Sequence, residues 1–301
     1  MKYLIVIGGA TATGKTALAI RLAQLYNTEI LSADSRQFFQ GLDIGTAKAS
    51  QAELDSAKHH FISHLPIDTP YSVGDFERDA LSVLNTVFLQ HEVAILVGGS
   101  GLYLKAVCEG LDDFPNVSEA TIATIAKNEA EGGLIWLQQS IETLDPVYAK
   151  IVDLKNPARL RRALEVCLET GKPFSSFRIK TQHQRPFTPI YLLLDLPRPA
   201  LYARIDARVD QMIENGLETE AQALLPYRHI PALKTVGYEE FFHYFDGNAS
   251  LPNTISKIKQ HSRNYAKRQI TWFKKYGEWT AFHPEDFRKI MAFLKSRMDE
   301  R

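Results

Sequence analysis

The chain has 301 residues, 45% of them hydrophobic, enough to fill a sizeable core, and its 35 Lys and Arg balance 35 Asp and Glu. Neutral total charge gives no whole-chain argument for a nucleic-acid or membrane partner, so any such surface must be local. Two cysteines, Cys108 and Cys167, are too few for a disulfide framework, and the first apolar run is too short for a secretion signal or a membrane span; a cytoplasmic, monomeric protein is expected.

In chain order, the run Tyr3–Ile7 reads as a buried strand, followed at once by GGATATGKT and by a helical pattern over Ala17–Tyr26. Gly9-x4-Gly14-Lys15-Thr16 matches a phosphate-binding loop, in which backbone N–H groups wrap a phosphate, Lys adds charge and Thr can coordinate Mg²⁺. A second strand, Glu29–Ala33, ends in Asp34, placed where open α/β sheets hold their ligands; Asp34 is a candidate general base or metal ligand, or a helix cap. His59, His60 and His64 follow without the acidic or thiol partners that would complete a metal site, and are expected to satisfy backbone groups. After a helix over Phe76–Gln90, the strand Val93–Val97 runs into Gly98-Gly99-Ser100-Gly101, a turn that presents a hydroxyl and bare backbone. Helical patterns over Glu119–Glu131 and Pro157–Thr170, with turn signals at Gly132-Gly133 and Gly171-Lys172-Pro173, read as a helical insert before a last strand, Ile190–Asp195. The alternation predicts an α/β fold: a parallel sheet flanked by helices on both faces.

Charge is uneven. Residues 109–150 are acidic, whereas residues 155–185 carry Lys155, Arg159, Arg161, Arg162, Lys172, Arg178, Lys180 and Arg185 against Glu165 and Glu169. The stretch KIKQHSRNYAKRQITWFKKY, Lys257 to Tyr276, holds seven Lys and Arg and no acid, interleaved with aromatic residues. Two basic patches on a neutral chain suggest a localised polyanion site.

GGATATGKT, SADSRQFFQGLDIGTAK, HHFISHLPIDTPYSVGDF, LVGGSGLYLKA, NPARLRRALEV, LYARIDARVDQMIENGL, KTVGYEEFF and NYAKRQITWFKK together resemble the tRNA dimethylallyltransferase (tRNA isopentenyltransferase) family over nearly the whole chain. The resemblance implies a P-loop kinase-like core at 1–114 and 187–301 with an insert at 115–186 that grips the anticodon stem-loop of tRNA. It implies transfer of a dimethylallyl group from dimethylallyl diphosphate to N6 of the adenosine 3′ of the anticodon, with Mg²⁺ as cofactor. On that reading Gly9, Ala10, Thr11, Ala12, Thr13, Gly14, Lys15, Thr16 and Arg208 bind the diphosphate, and Thr16 also binds the metal. Asp34 and Ser100 are catalytic. Asp34, Ser35, Arg36, Gln37, Ser100, Ala158, Arg159, Leu160, Arg161 and Arg162 contact tRNA. Three positions depart from the commonest family pattern: Ala10 stands where Pro is usual, Ser100 where Thr is frequent, and Ile122 near where many members carry Arg.

Overall fold

The computed structural model describes residues 1–179 and 183–299; Lys180 of the basic stretch lies outside them. Six strands, β1 (Tyr3–Gly9), β2 (Ile30–Ser32), β3 (His59–His60), β4 (Val93–Val97), β5 (Thr188–Leu194) and β6 (Thr280–Phe282), form one parallel sheet in the order β3-β2-β4-β1-β5-β6. The helices are α1 (Lys15–Tyr26), α2 (Gln51–Ser56), α3 (Val73–Gln90), α4 (Gly101–Glu109), α5 (Glu119–Leu144), α6 (Pro146–Ala149), α7 (Pro157–Thr170), α8 (Arg198–Glu214), α9 (Leu217–Leu224), α10 (Tyr238–Phe245), α11 (Leu251–Lys275) and α12 (Phe287–Asp299).

β1 is buried at every residue, as a strand covered on both faces must be, and its alternation divides the core. Leu4 and Val6 join Leu31 and Leu96 under Phe76 and Leu84 of α3, Leu104 of α4 and Phe273 of α11. Ile5 and Ile7 join Ile95 and Leu192 against Leu18 and Leu22 of α1 and Ile290 and Leu294 of α12. Helices therefore cover both faces, in the P-loop kinase-like arrangement. β3 and β6 were not evident in the sequence. They are the two sheet edges, two and three residues long and only partly buried, so neither leaves an apolar run. In β3, His59 bonds the Ala57 carbonyl and His60 pairs with Glu29, while His64 stands edge-on to Phe38, Phe61 and Tyr71.

The chain divides into two compact units: Met1–Glu109 with Gln184–Arg301, which holds the sheet, and Gly110–His183. The second has its own core of Ile125, Leu137, Ile141, Leu160, Leu164 and Cys167. Where Gly132-Gly133 signals a turn, α5 continues to Leu144 through a break at Gly133 (φ 60°), because Ile125 before it and Leu137 and Ile141 after it reach the same core. α7 has the bounds its signals set: Asn156 caps it by accepting from the Arg159 N–H, Pro157 opens it and Gly171 closes it in the left-handed region. Among the described residues no helix is long and apolar enough to cross a membrane.

Candidate active site

The phosphate loop joins β1 to α1. Gly14 caps α1 at φ 91°, a conformation L side chains rarely adopt, and the loop folds back on itself: Thr13 Oγ1 and Lys15 Nζ both donate to the Ala10 carbonyl, at 2.8 and 2.7 Å. Thr11 is held from two further elements. Its N–H donates to Gln269 Oε1 on α11 at 2.8 Å, and its hydroxyl accepts from the Arg208 guanidinium on α8 at 2.8 Å. Burial and the neighbouring Arg208 charge push the Lys15 ammonium from its ordinary 10.5 to about 7, while Asp34 acts in the opposite direction. Arg208 is lowered by burial as well, again opposed by Asp34.

Asp34 follows β2, with Oδ1 accepting the Arg36 N–H at 3.0 Å in a local turn that fixes the carboxylate at the strand end. Gln37, a candidate tRNA contact, lines a cavity with Asp34 and donates its amide to the Thr46 and Ala47 carbonyls at 3.1 and 3.2 Å, binding the loop 43–48 to the site. That loop is anchored from below by Glu220, whose carboxylate accepts the N–H groups of Asp43, Ile44 and Gly45 and the Tyr238 hydroxyl.

These groups meet at a cavity of about 300 Å³. Thr11, Lys15, Thr16 and Arg208 line it, with Asp34, Arg36 and Gln37 and the backbone of Gly98 and Gly99. Ile205, Val209 and Met212 of α8, Val236 and Ile258 give it an apolar wall. Ser35 and Ser100 are not among its lining residues. Ser100 is linked to it through Tyr265 on α11, a lining residue that hydrogen-bonds the Ser100 side chain; burial and then the Asp34 charge push the Tyr265 phenol up to about 12. Gln269, Tyr265 and Ser262 were missed from sequence. Their only signal is an uncharged stripe at i, i+3 and i+7 inside the basic stretch, which is one face of a helix.

In the second unit Arg159 is exposed at the start of α7, whereas Arg161 is ion-paired to Glu129 at 2.6 Å and Arg162 to Glu165 at 3.1 Å, with its guanidinium over the Phe114 ring. Ala158 is exposed beside them. Leu160, expected on the same contact surface, is fully buried, because the helical period turns it into the core of the unit. Ile122 is exposed on α5.

The family model described as IPP transferase matches residues 37–276. The chain is 50% identical over 299 residues to the tRNA dimethylallyltransferase of Christiangramia forsetii, covering 99% of each, and 45% identical to that of Cytophaga hutchinsonii, covering 99% of this chain and 98% of that one. The crystal structure of the tRNA isopentenylpyrophosphate transferase from Bacillus halodurans superposes with a TM-score of 0.73 at 33% identity, over all of this chain and 98% of that one. A eukaryotic dimethylallyltransferase crystallised while acting on tRNA shares the fold, with a TM-score of 0.85 at 23% identity over all of this chain and 80% of that one. With four-fifths of its length inside the family model and relatives this similar from end to end, the chain belongs to the IPP transferase family of tRNA dimethylallyltransferases.

Proposed function

We propose that the chain is a cytoplasmic tRNA prenyltransferase that moves a dimethylallyl group from dimethylallyl diphosphate to N6 of the adenosine 3′ of the anticodon, releasing pyrophosphate. The observation that carries this is one cavity lined by Lys15, Thr16, Arg208 and Asp34 together with the apolar side chains of Ile205, Val209, Met212, Val236 and Ile258. The cationic side suits the diphosphate, the apolar wall the prenyl chain, and the carboxylate the incoming amine. As the allylic C–O bond breaks, its electron pair leaves with the pyrophosphate, and Lys15, Arg208 and the α1 N-terminus stabilise that growing charge. The amine nitrogen forms the new bond to the allylic carbon and gives its proton to Asp34.

Mg²⁺ fits the oxygen groups present. The Thr16 hydroxyl has no hydrogen-bond partner among the described residues and its residue lines the cavity beside Lys15. Mg²⁺ in a phosphate-loop site takes most of its ligands from water and the substrate's phosphate oxygens, so few protein oxygens are required. When bound, the ion would neutralise charge on the leaving group. Arg159, Arg161 and Arg162 serve the anticodon stem-loop by their charge. Incubation with labelled dimethylallyl diphosphate, Mg²⁺ and total tRNA tests the reading. Label entering RNA supports it, whereas ATP turnover stimulated by a small metabolite, with no label in RNA, replaces it with a kinase.

A further inference from the structure

We propose that Gln269 is a positioning residue that sets the spacing between the phosphate loop and the turn after β4, and so between donor and acceptor. This deepens the transfer reading and rests on it. Gln269 is 7% exposed on α11, and both ends of its amide are engaged: Oε1 accepts the Thr11 N–H at 2.8 Å and Nε2 donates to the Gly99 carbonyl at 3.0 Å. The partners fix the amide's orientation, because an N–H requires an acceptor and a carbonyl a donor. Gln is the side chain that carries both on one head at this reach. Glutamate lacks the donor when ionised, and Met, of similar shape, lacks both.

Two further features show that the contact is built into the backbone. A Cβ on Gly99 would lie 2.3 Å from Gln269 Nε2, so the amide fits only over bare backbone. Ala12, next to the clamped Thr11, sits at φ 64°, a conformation that a residue with a side chain keeps only where its surroundings over-determine it. Gln269 and Arg208 supply that constraint from two helices. On the same face of α11, Tyr265 reaches Ser100 and Trp272 covers Gly101, so the helix lies along the whole β4 turn. Of these three side chains, Gln269 is the one bonded to the phosphate loop. Its removal should leave both walls intact and let their separation drift. A misplacement of about 1 Å between reacting groups costs about a hundredfold in rate.

Full-length Gln269→Met and Gln269→Glu, compared with wild type, test this by single-turnover transfer at saturating substrates, tRNA binding and thermal melting. Gln269→Met should lose roughly tenfold to a hundredfold in single-turnover rate, with tRNA affinity unchanged. Gln269→Glu should be slow at alkaline pH and recover relative to wild type as pH falls, because the protonated acid again offers one donor and one acceptor. A side chain that only fills space gives neither result. Wild-type rates in Gln269→Met together with a wild-type pH profile in Gln269→Glu overturn the inference, and if Gln269→Met does not fold, the pH profile alone decides. An inactive wild type overturns the transfer reading and this inference with it, whereas an active wild type with unaffected variants overturns this inference alone.

Discussion

Asp34 and Lys15 lie on the same cavity, where the carboxylate opposes the fall of the ammonium's pKa, yet they fail differently when changed. Asp34→Asn keeps the shape and the turn to Arg36 but cannot take a proton, so single-turnover transfer at saturating substrates should fall roughly a hundredfold or more with donor and tRNA affinities near normal. A rate within threefold of wild type would remove Asp34 from the mechanism. Lys15 has a folded-state pKa of about 7 against an ordinary 10.5, so between these values the unfolded chain holds the proton and the folded one does not. Stability from this group therefore rises with pH across that window, and below about 7 the full cost of burying the charge is present. Lys15→Met should raise the melting temperature most at pH 6, with the advantage narrowing towards pH 9, while abolishing use of the donor; a pH-independent difference contradicts a strained ammonium. At this scale the phosphate loop was legible because its function lies in backbone geometry that a short motif encodes. Gln269 was not, since its partners lie 258 and 170 residues away and no local pattern marks them.

Among the elements, α7 shows how packing sorts residues that charge alone treats as equal. Arg159, Arg161 and Arg162 look alike in NPARLRRALEV, but Arg161 and Arg162 have carboxylate partners and Arg159 stands exposed at the helix start. A phosphate contact made by Arg159 displaces counterions without first breaking an ion pair. Arg159→Ala should therefore lower the slope of log tRNA affinity against log salt by about 0.7 to 0.9. Arg161→Ala should change it less, since Glu129 already offsets that charge. Equal, unchanged slopes in salt titrations of both variants would reduce these arginines to a solvated surface. Periodicity and caps made α1, α3, the first half of α5, α7 and the four inner strands readable from sequence, because their residues meet the core at a regular spacing, whereas α8, α11 and α12 were not delimited. The edge strands and the continuation of α5 past Gly133 were hidden, being set by partners in space: for β3, Glu29 and the Ile30 N–H, which donates to the Lys58 carbonyl, and for α5 a shared core beneath it.

At the scale of the molecule, the insert enters and leaves side by side: His183 packs against Gly110 and hydrogen-bonds the Leu111 carbonyl, and it has its own core. Replacing Gly110–His183 by a short Gly/Ser linker should leave a sheet unit that still melts cooperatively and binds the donor within severalfold of wild type, with transfer to tRNA lost. Retained transfer would deny the insert its role in gripping tRNA, and a chain that does not fold would deny the independence of the two cores. Sequence showed that an insert exists through its change of charge and period; its edges depended on contacts such as His183 with Gly110, which join residues far apart in the chain. The same separation has a consequence in time. A ribosome adds about 5 to 20 residues per second, so roughly 10 to 50 s pass between the emergence of Thr11 and that of Gln269. For that interval the newborn chain carries GGATATGKT without the side chains of α8 and α11 that fix its shape, and β1 waits for partners beginning at Val93 and Thr188. On the proposed reading, the ability to hold a prenyl donor is thus acquired late in synthesis, although the loop residues assigned to the diphosphate, Gly9 to Thr16, are among the first made and only Arg208 follows them.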